Sequence, residues 1–107
     1  MRGLTILVAT ADPARFRAAL TLAAAHAALG GRTRLFLHEE AVALLRTADD
    51  ALSHLVSTAI ESGATLIACQ TGLARAGLAE TDLPAGAETG GLIGLLATLG
   101  EDRLDTI

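Results

Sequence analysis

The stretch Leu66-Ile67-Ala68-Cys69-Gln70-Thr71-Gly72-Leu73-Ala74-Arg75-Ala76-Gly77-Leu78 decides how this chain is read. An apolar, β-forming run that begins at Thr65 ends at the only cysteine, and small and polar residues suited to a short helix around Gly72 to Ala76 follow at once. One thiol therefore stands where a strand hands over to a helix. The first exposed N–H groups of a helix carry partial positive charge, which favours thiolate over thiol, and Cys69 is the reactive candidate on that ground. The competing reading is a buried, inert cysteine filling a small core site, the commoner behaviour of a lone cysteine in an apolar run.

Working back from that stretch, Asp49 and Asp50 are placed to cap a helix from Ala51 to Ser62, whose Leu52, Leu55, Val56, Ala59 and Ile60 form one apolar stripe. Gly63 ends it and leads into the strand from Ala64 to Ala68 or Cys69. Thr33 to His38 makes an earlier strand, and Glu39-Glu40 suits the first turn of a helix reaching about Leu45. Leu4 to Thr10 is nearly continuous in apolar and β-forming residues, the pattern of a strand covered on both faces. Asp12 and Pro13 then open a helix from Pro13 to Leu29, with Phe16, Leu20, Ala23 and Ala27 on one side and Gly30-Gly31 at its end.

Working forward, Leu78 to Gly86 reads as a surface loop with one helical turn, and Ala87-Glu88-Thr89 as a very short strand. Gly91 to Leu99 is a final helix stopped by Gly100, and Arg103 to Ile107 a closing strand. Strands separated by helices require parallel pairing with right-handed crossovers. The expectation is a three-layer α/β/α sandwich with a mostly parallel sheet of four to five strands, one domain spanning residues 1–107. Ligands in such folds sit beyond the carboxyl ends of the strands, which here bring Thr10 to Asp12, His38 with Glu39, and Cys69 with Gln70 and Thr71 to one edge.

Composition narrows the function classes. The chain is 51% hydrophobic yet 2% aromatic, so its core is built from Leu, Ala, Ile and Val, and the apolar surplus points to surface covered by another subunit. All eight basic residues are arginine against twelve acidic ones, a formal net charge of −4. Without a basic stripe or stacking Trp and Tyr, nucleic acid is not an expected partner. No apolar run is long enough to span a membrane, the start at Met1 lacks a secretory pattern, and one cysteine cannot make an internal disulfide, so a reducing cytoplasm is the expected setting.

Cys69 with Arg75, Gly77 and Leu78, the later Thr81-Asp82-Leu83, and Gly90-Gly91 ahead of a Leu-rich helix together resemble the DsrE/DsrF-like family of small α/β proteins. The resemblance covers nearly the whole chain and implies the DsrE-like sandwich, a persulfide carried at the position of Cys69, homotrimers or homohexamers, and a sulfur donor or acceptor protein as partner. Some members carry a second cysteine three residues on; here that position is Gly72, which removes any internal disulfide relay. Other members lack a working cysteine and serve as structural subunits.

Around Cys69 the candidate binding residues are His38, Glu39, Gln70, Thr71, Arg75, Gly90 and Gly91. An imidazole near a thiol can hold it as thiolate or move its proton, and Arg75 can offer charge to an anionic sulfur. Against this, His38 also reads as a solvent-facing strand-end residue and Arg75 as a solvated helix arginine. Gly90-Gly91 offers backbone N–H groups at a helix start but matches no dinucleotide fingerprint. Glu39 and Glu40 point in different directions and make a poor acid/base pair. His26 and His54 have no partner at ligand spacing, so neither a metal nor a cofactor is expected. Three functions remain open: a sulfur carrier using Cys69, a non-catalytic oligomeric or small-ligand-binding module in which Cys69 packs, and a nucleotide-type binder.

Overall fold

In the computed structural model, which describes all 107 residues, the first apolar run forms β1 (Leu4–Val8). Asp12 caps α1 (Pro13–Ala28), its carboxylate accepting from the N–H of Ala14 at 2.9 Å and of Arg15 at 3.4 Å. Pro13 fits the first turn because its missing N–H would have had no helical partner there. Phe16, Leu20, Ala23 and Ala27 are buried, the side their spacing selects. β2 (Thr33–Leu37) follows, then a 3₁₀ turn (Glu39–Ala43), the short α2 (Leu44–Thr47) and α3 (Asp50–Glu61), capped by Asp49 through the N–H of Leu52 at 2.8 Å. β3 (Thr65–Cys69) runs straight into α4 (Gln70–Ala76), which Gly77 ends in the left-handed region at φ 68°. A 3₁₀ turn (Glu80–Asp82), β4 (Glu88–Gly90), α5 (Leu92–Ala97) and β5 (Arg103–Thr106) complete the chain.

The five strands pair in parallel in the order β4-β3-β2-β1-β5. From β1 to β4 each step moves the same way across the sheet, so right-handed crossovers set α1 and α3 on one face. The return from β4 to β5 moves the other way and sets α5 on the opposite face. In parallel strands, register partners share a face. Leu4, Ile6, Val8, Leu35, Leu37, Leu66 and Ala68 therefore point towards α1 and α3, and all are buried. Each large side chain enclosed there contributes about 1.5–3 kcal/mol. Thr5, Arg34, Phe36, Thr65, Ile67 and Cys69 point the other way, towards the six-residue α5, whose Leu95 is buried.

Several expected boundaries shift, for local reasons. The helix expected from Glu39 to Leu45 is instead the 3₁₀ turn followed by α2: the N–H of Ala41 bonds back three residues to His38, and Glu39 lies in the left-handed region at φ 45°. The short strand is Glu88–Gly90, so Gly90 belongs to the sheet and Gly91 alone precedes α5. That helix ends at Ala97, ahead of the expected Leu99, where the Thr98 hydroxyl donates to the carbonyl of Gly94 at 2.8 Å and the backbone leaves the helical region.

Candidate functional site

Cys69 is the last residue of β3 and the N-cap of α4, with extended backbone at φ −63°, ψ 122°. Its Sγ takes the place a serine or aspartate oxygen usually holds, accepting from the N–H of Gly72 at 3.4 Å. That amide is the one hydrogen-bond partner the sulfur has within the chain. The residue is 6% exposed. The thiol is thus held by an amide at the carboxyl edge of the sheet while little of it meets solvent. Gln70 and Thr71, in the first turn of α4, are exposed beside it.

Glycine at position 72 is dictated by packing. A Cβ there would collide with the backbone of Glu39, lying 2.9 Å from its Cα. α4 and the 3₁₀ turn meet at this point, and their approach excludes any side chain, a second thiol included. Beside the junction His38, Glu39, Gly72 and Arg75, with Glu40 and Ala43, line a cleft of about 460 Å³. Arg75 Nη1 lies 3.5 Å from Glu39 Oε2, and His38 Nε2 lies 3.9 Å from Glu39 Oε1. Both pairs reach solvent and add little to stability. His38 Nδ1 is buried without a hydrogen-bond partner, as is the Oγ1 of Thr10 on the neighbouring loop. No hydrogen bond joins His38 to Cys69, although the two residues directly follow Leu37 and Ala68, the last pair of the β2–β3 ladder.

The expected site therefore divides. His38, Glu39 and Arg75 share the first cleft, and Cys69 lies behind its Gly72 wall. Gly90 is in register with Cys69 across the β3–β4 ladder, yet it and Gly91 line a second cleft, of about 470 Å³, between α5 and the sheet. This second cleft holds residues that sequence reasoning missed. Arg34 donates from Nε to Thr5 Oγ1 (3.0 Å), from Nη1 to Thr98 Oγ1 (2.7 Å) and from Nη2 to the carbonyl of Leu95 (3.2 Å). Asp102 Oδ2 accepts from Thr5 Oγ1 at 3.0 Å and lies 3.7 Å from Arg34 Nε and 3.6 Å from Arg32 Nη1. Burial lowers the Arg34 pKa from the usual arginine value, the charge of Arg32 pushes the same way, and Asp102 opposes both. The available signal was an arginine inside a strand whose next three residues, Leu35, Phe36 and Leu37, are all apolar.

His26 is engaged structurally, its Nδ1 2.7 Å from Thr33 Oγ1 and its Nε2 donating to the carbonyl of Arg2 at 3.1 Å. No three His, Cys, Asp or Glu side chains come together in a way that could hold a metal ion. No helix is long and apolar enough to cross a membrane.

Two solved structures share this architecture over their full length and that of this chain. One is the ychN protein from E. coli, at 21% identity and a TM-score of 0.80. The other is MTH1491 from Methanobacterium thermoautotrophicum, a protein of unknown function, at 17% identity and a TM-score of 0.84. At such identities the likeness establishes the fold alone. No curated protein matches the chain at a significant level. The sequence model of the DsrE/DsrF-like family, in contrast, matches residues 3–104, from the glycine before β1 into β5. With nearly every residue of the sheet and its helices inside that match, the chain belongs to the DsrE/DsrF-like family.

Proposed function

We propose that this chain is a small sulfur carrier, in which Cys69 holds sulfur as a persulfide and passes it to a thiol on a partner protein. The observation that carries the reading is the N–H of Gly72 directed at Cys69 Sγ at the carboxyl edge of the sheet. In the loading step the Cys69 thiolate attacks the outer sulfur of a donor persulfide; the Cys69 S–S bond forms, the donor S–S bond breaks, and the donor leaves as a thiolate. In the unloading step an acceptor thiolate attacks the outer sulfur of the Cys69 persulfide, which returns Cys69 to thiolate. Neither step needs a net oxidant or a cofactor. Intact-mass spectrometry after treatment with a cysteine persulfide donor tests this. The expected product is one sulfur atom heavier, reverts with reductant and is absent from Cys69→Ser; no adduct on folded protein contradicts the reading.

The low exposure of Cys69 favours a second reading, a non-catalytic oligomeric or small-ligand-binding module in which the sulfur caps α4 and fills space. A thiol that resists alkylation until the protein is denatured selects it. Under either reading we propose a homo-oligomer, a trimer or hexamer, working in a reducing cytoplasm. Support comes from the apolar side chains left open on the thinly covered side, Ile93 (88% exposed), Leu96 and Leu104. Light scattering at micromolar concentration is expected to give a multiple of the chain mass, and a monomeric mass overturns the assembly.

A further inference from the structure

The cleft under α5 is built from charge, hydroxyl and glycine on a sheet face where apolar residues are the norm. Only Ile67 and Leu95 among its twelve lining residues are hydrophobic. The side chain of Arg34 is 9% exposed, and its three hydrogen bonds lock the guanidinium plane. Of its five N–H groups three are used; one on each terminal nitrogen is left without a protein acceptor. Arg32 adds a second guanidinium, fixed by the carbonyl of Thr98 at 3.0 Å. Asp102 offsets one of these two charges from behind.

Across the floor formed by Thr65 and Ile67 stands Glu88, on the same face because its register partner is Ile67 while that of Arg34 is Thr65. The strands carrying Arg34 and Glu88 lie about 10 Å apart, on either side of β3. The Glu88 carboxylate makes no ion pair and no hydrogen bond within the chain, although it lines a cleft that holds two arginines. Counted together, Arg32, Arg34, Asp102 and Glu88 are neutral but polarised, positive beside α5 and negative along β4. Gly91 and Gly94 leave the α5 wall open, since a Cβ on either would touch nothing. A bare anion would gain the arginines and meet Glu88 as a repulsion; a bare cation would meet the reverse.

We infer that this cleft binds a small zwitterion of the amino-acid or short-peptide class, its carboxylate on Arg32 and Arg34 and its ammonium on Glu88. The bidentate fit of guanidinium to carboxylate supplies the orientation. The inference is independent of the persulfide reading, because no step involves Cys69. The test is a titration of isotope-labelled full-length protein with glycylglycine and, separately, with acetate, followed by amide NMR shifts. Saturable shifts at Arg32, Thr65, Ile67, Glu88 and Gly91 are expected, with glycylglycine binding at least about tenfold more tightly than acetate. Arg32→Gln is expected to weaken both ligands, and Glu88→Gln to bring glycylglycine down to the level of acetate. Both positions are exposed, so neither change threatens the fold. Cys69→Ser is expected to bind glycylglycine as the wild type does, which separates this site from the sulfur chemistry. Absence of saturation up to about 10 mM, equal affinity for the two ligands, or affinity unaltered in both cleft variants overturns the inference.

Discussion

Position 72 ties the thiol to the 3₁₀ turn: one small residue supplies the amide that faces Cys69 Sγ and the clearance that Glu39 needs. Gly72→Ala puts a methyl group against backbone, which cannot swing aside as a flexible side chain would. It is expected to destabilise the fold by about 1–3 kcal/mol, measured by urea denaturation, and to alter Cys69 reactivity along with it. Glu39 offers the opposite experiment. A non-glycine residue at φ 45° is strained by about 1 kcal/mol, and its pairing with exposed Arg75 returns little. Glu39→Gly is therefore expected to raise the urea midpoint or leave it unchanged; a clear loss of stability would show that the Arg75 and His38 contacts outweigh the strain.

Helix ends were the most legible part of the sequence, because capping is local chemistry. Asp12 and Asp49 each stand one residue ahead of an apolar period and each accepts the expected N–H bonds. Asp49→Ala is expected to cost about 1 kcal/mol, read as a lowered midpoint for α3 and the sheet together. The strands were legible for a similar reason, since continuous apolar runs need cover on both faces. Legibility failed where tertiary approach overrode local preference. Glu39-Glu40 has the composition of an α-helical first turn, yet the chain must bend sharply beneath α4 and takes a 3₁₀ path. The candidate site was half legible. His38 and Glu39, just past the end of β2, do share a cleft with Arg75 of α4, but which side of the sheet each glycine would serve depends on the long return from β4 to β5, and adjacency in sequence does not encode that.

That return also explains the polar centre of the fold. It sets a six-residue helix on the sheet face that carries Arg34, and so short a cover leaves polar atoms beneath it that must satisfy one another. Thr5 from β1, Arg34 from β2 and Asp102 just before β5 do so, closing the sheet with one network. Removing the carboxylate with Asp102→Ala leaves Arg34 enclosed without its counter-charge and is expected to cost about 3–5 kcal/mol, enough to unfold a small domain partially at room temperature. A loss of under about 1 kcal/mol by urea denaturation would mean that water replaces Asp102 freely. The same thin cover leaves Ile93 standing clear of the fold, and Ile93→Glu is expected to lower the oligomer mass seen by light scattering without lowering the monomer's helix content.

The sulfur-carrier reading requires a thiol that can be reached while the sheet is intact. α4 has seven residues, too few for a helix to be stable alone, so its first turn can open without global unfolding. The rate at which iodoacetamide alkylates Cys69 in folded protein, followed against urea concentration, tests this most directly. The reading predicts measurable alkylation in the native state, at a rate nearly independent of urea well below the unfolding midpoint. Protection that lifts only in step with global unfolding would contradict it and leave Cys69 a structural cap.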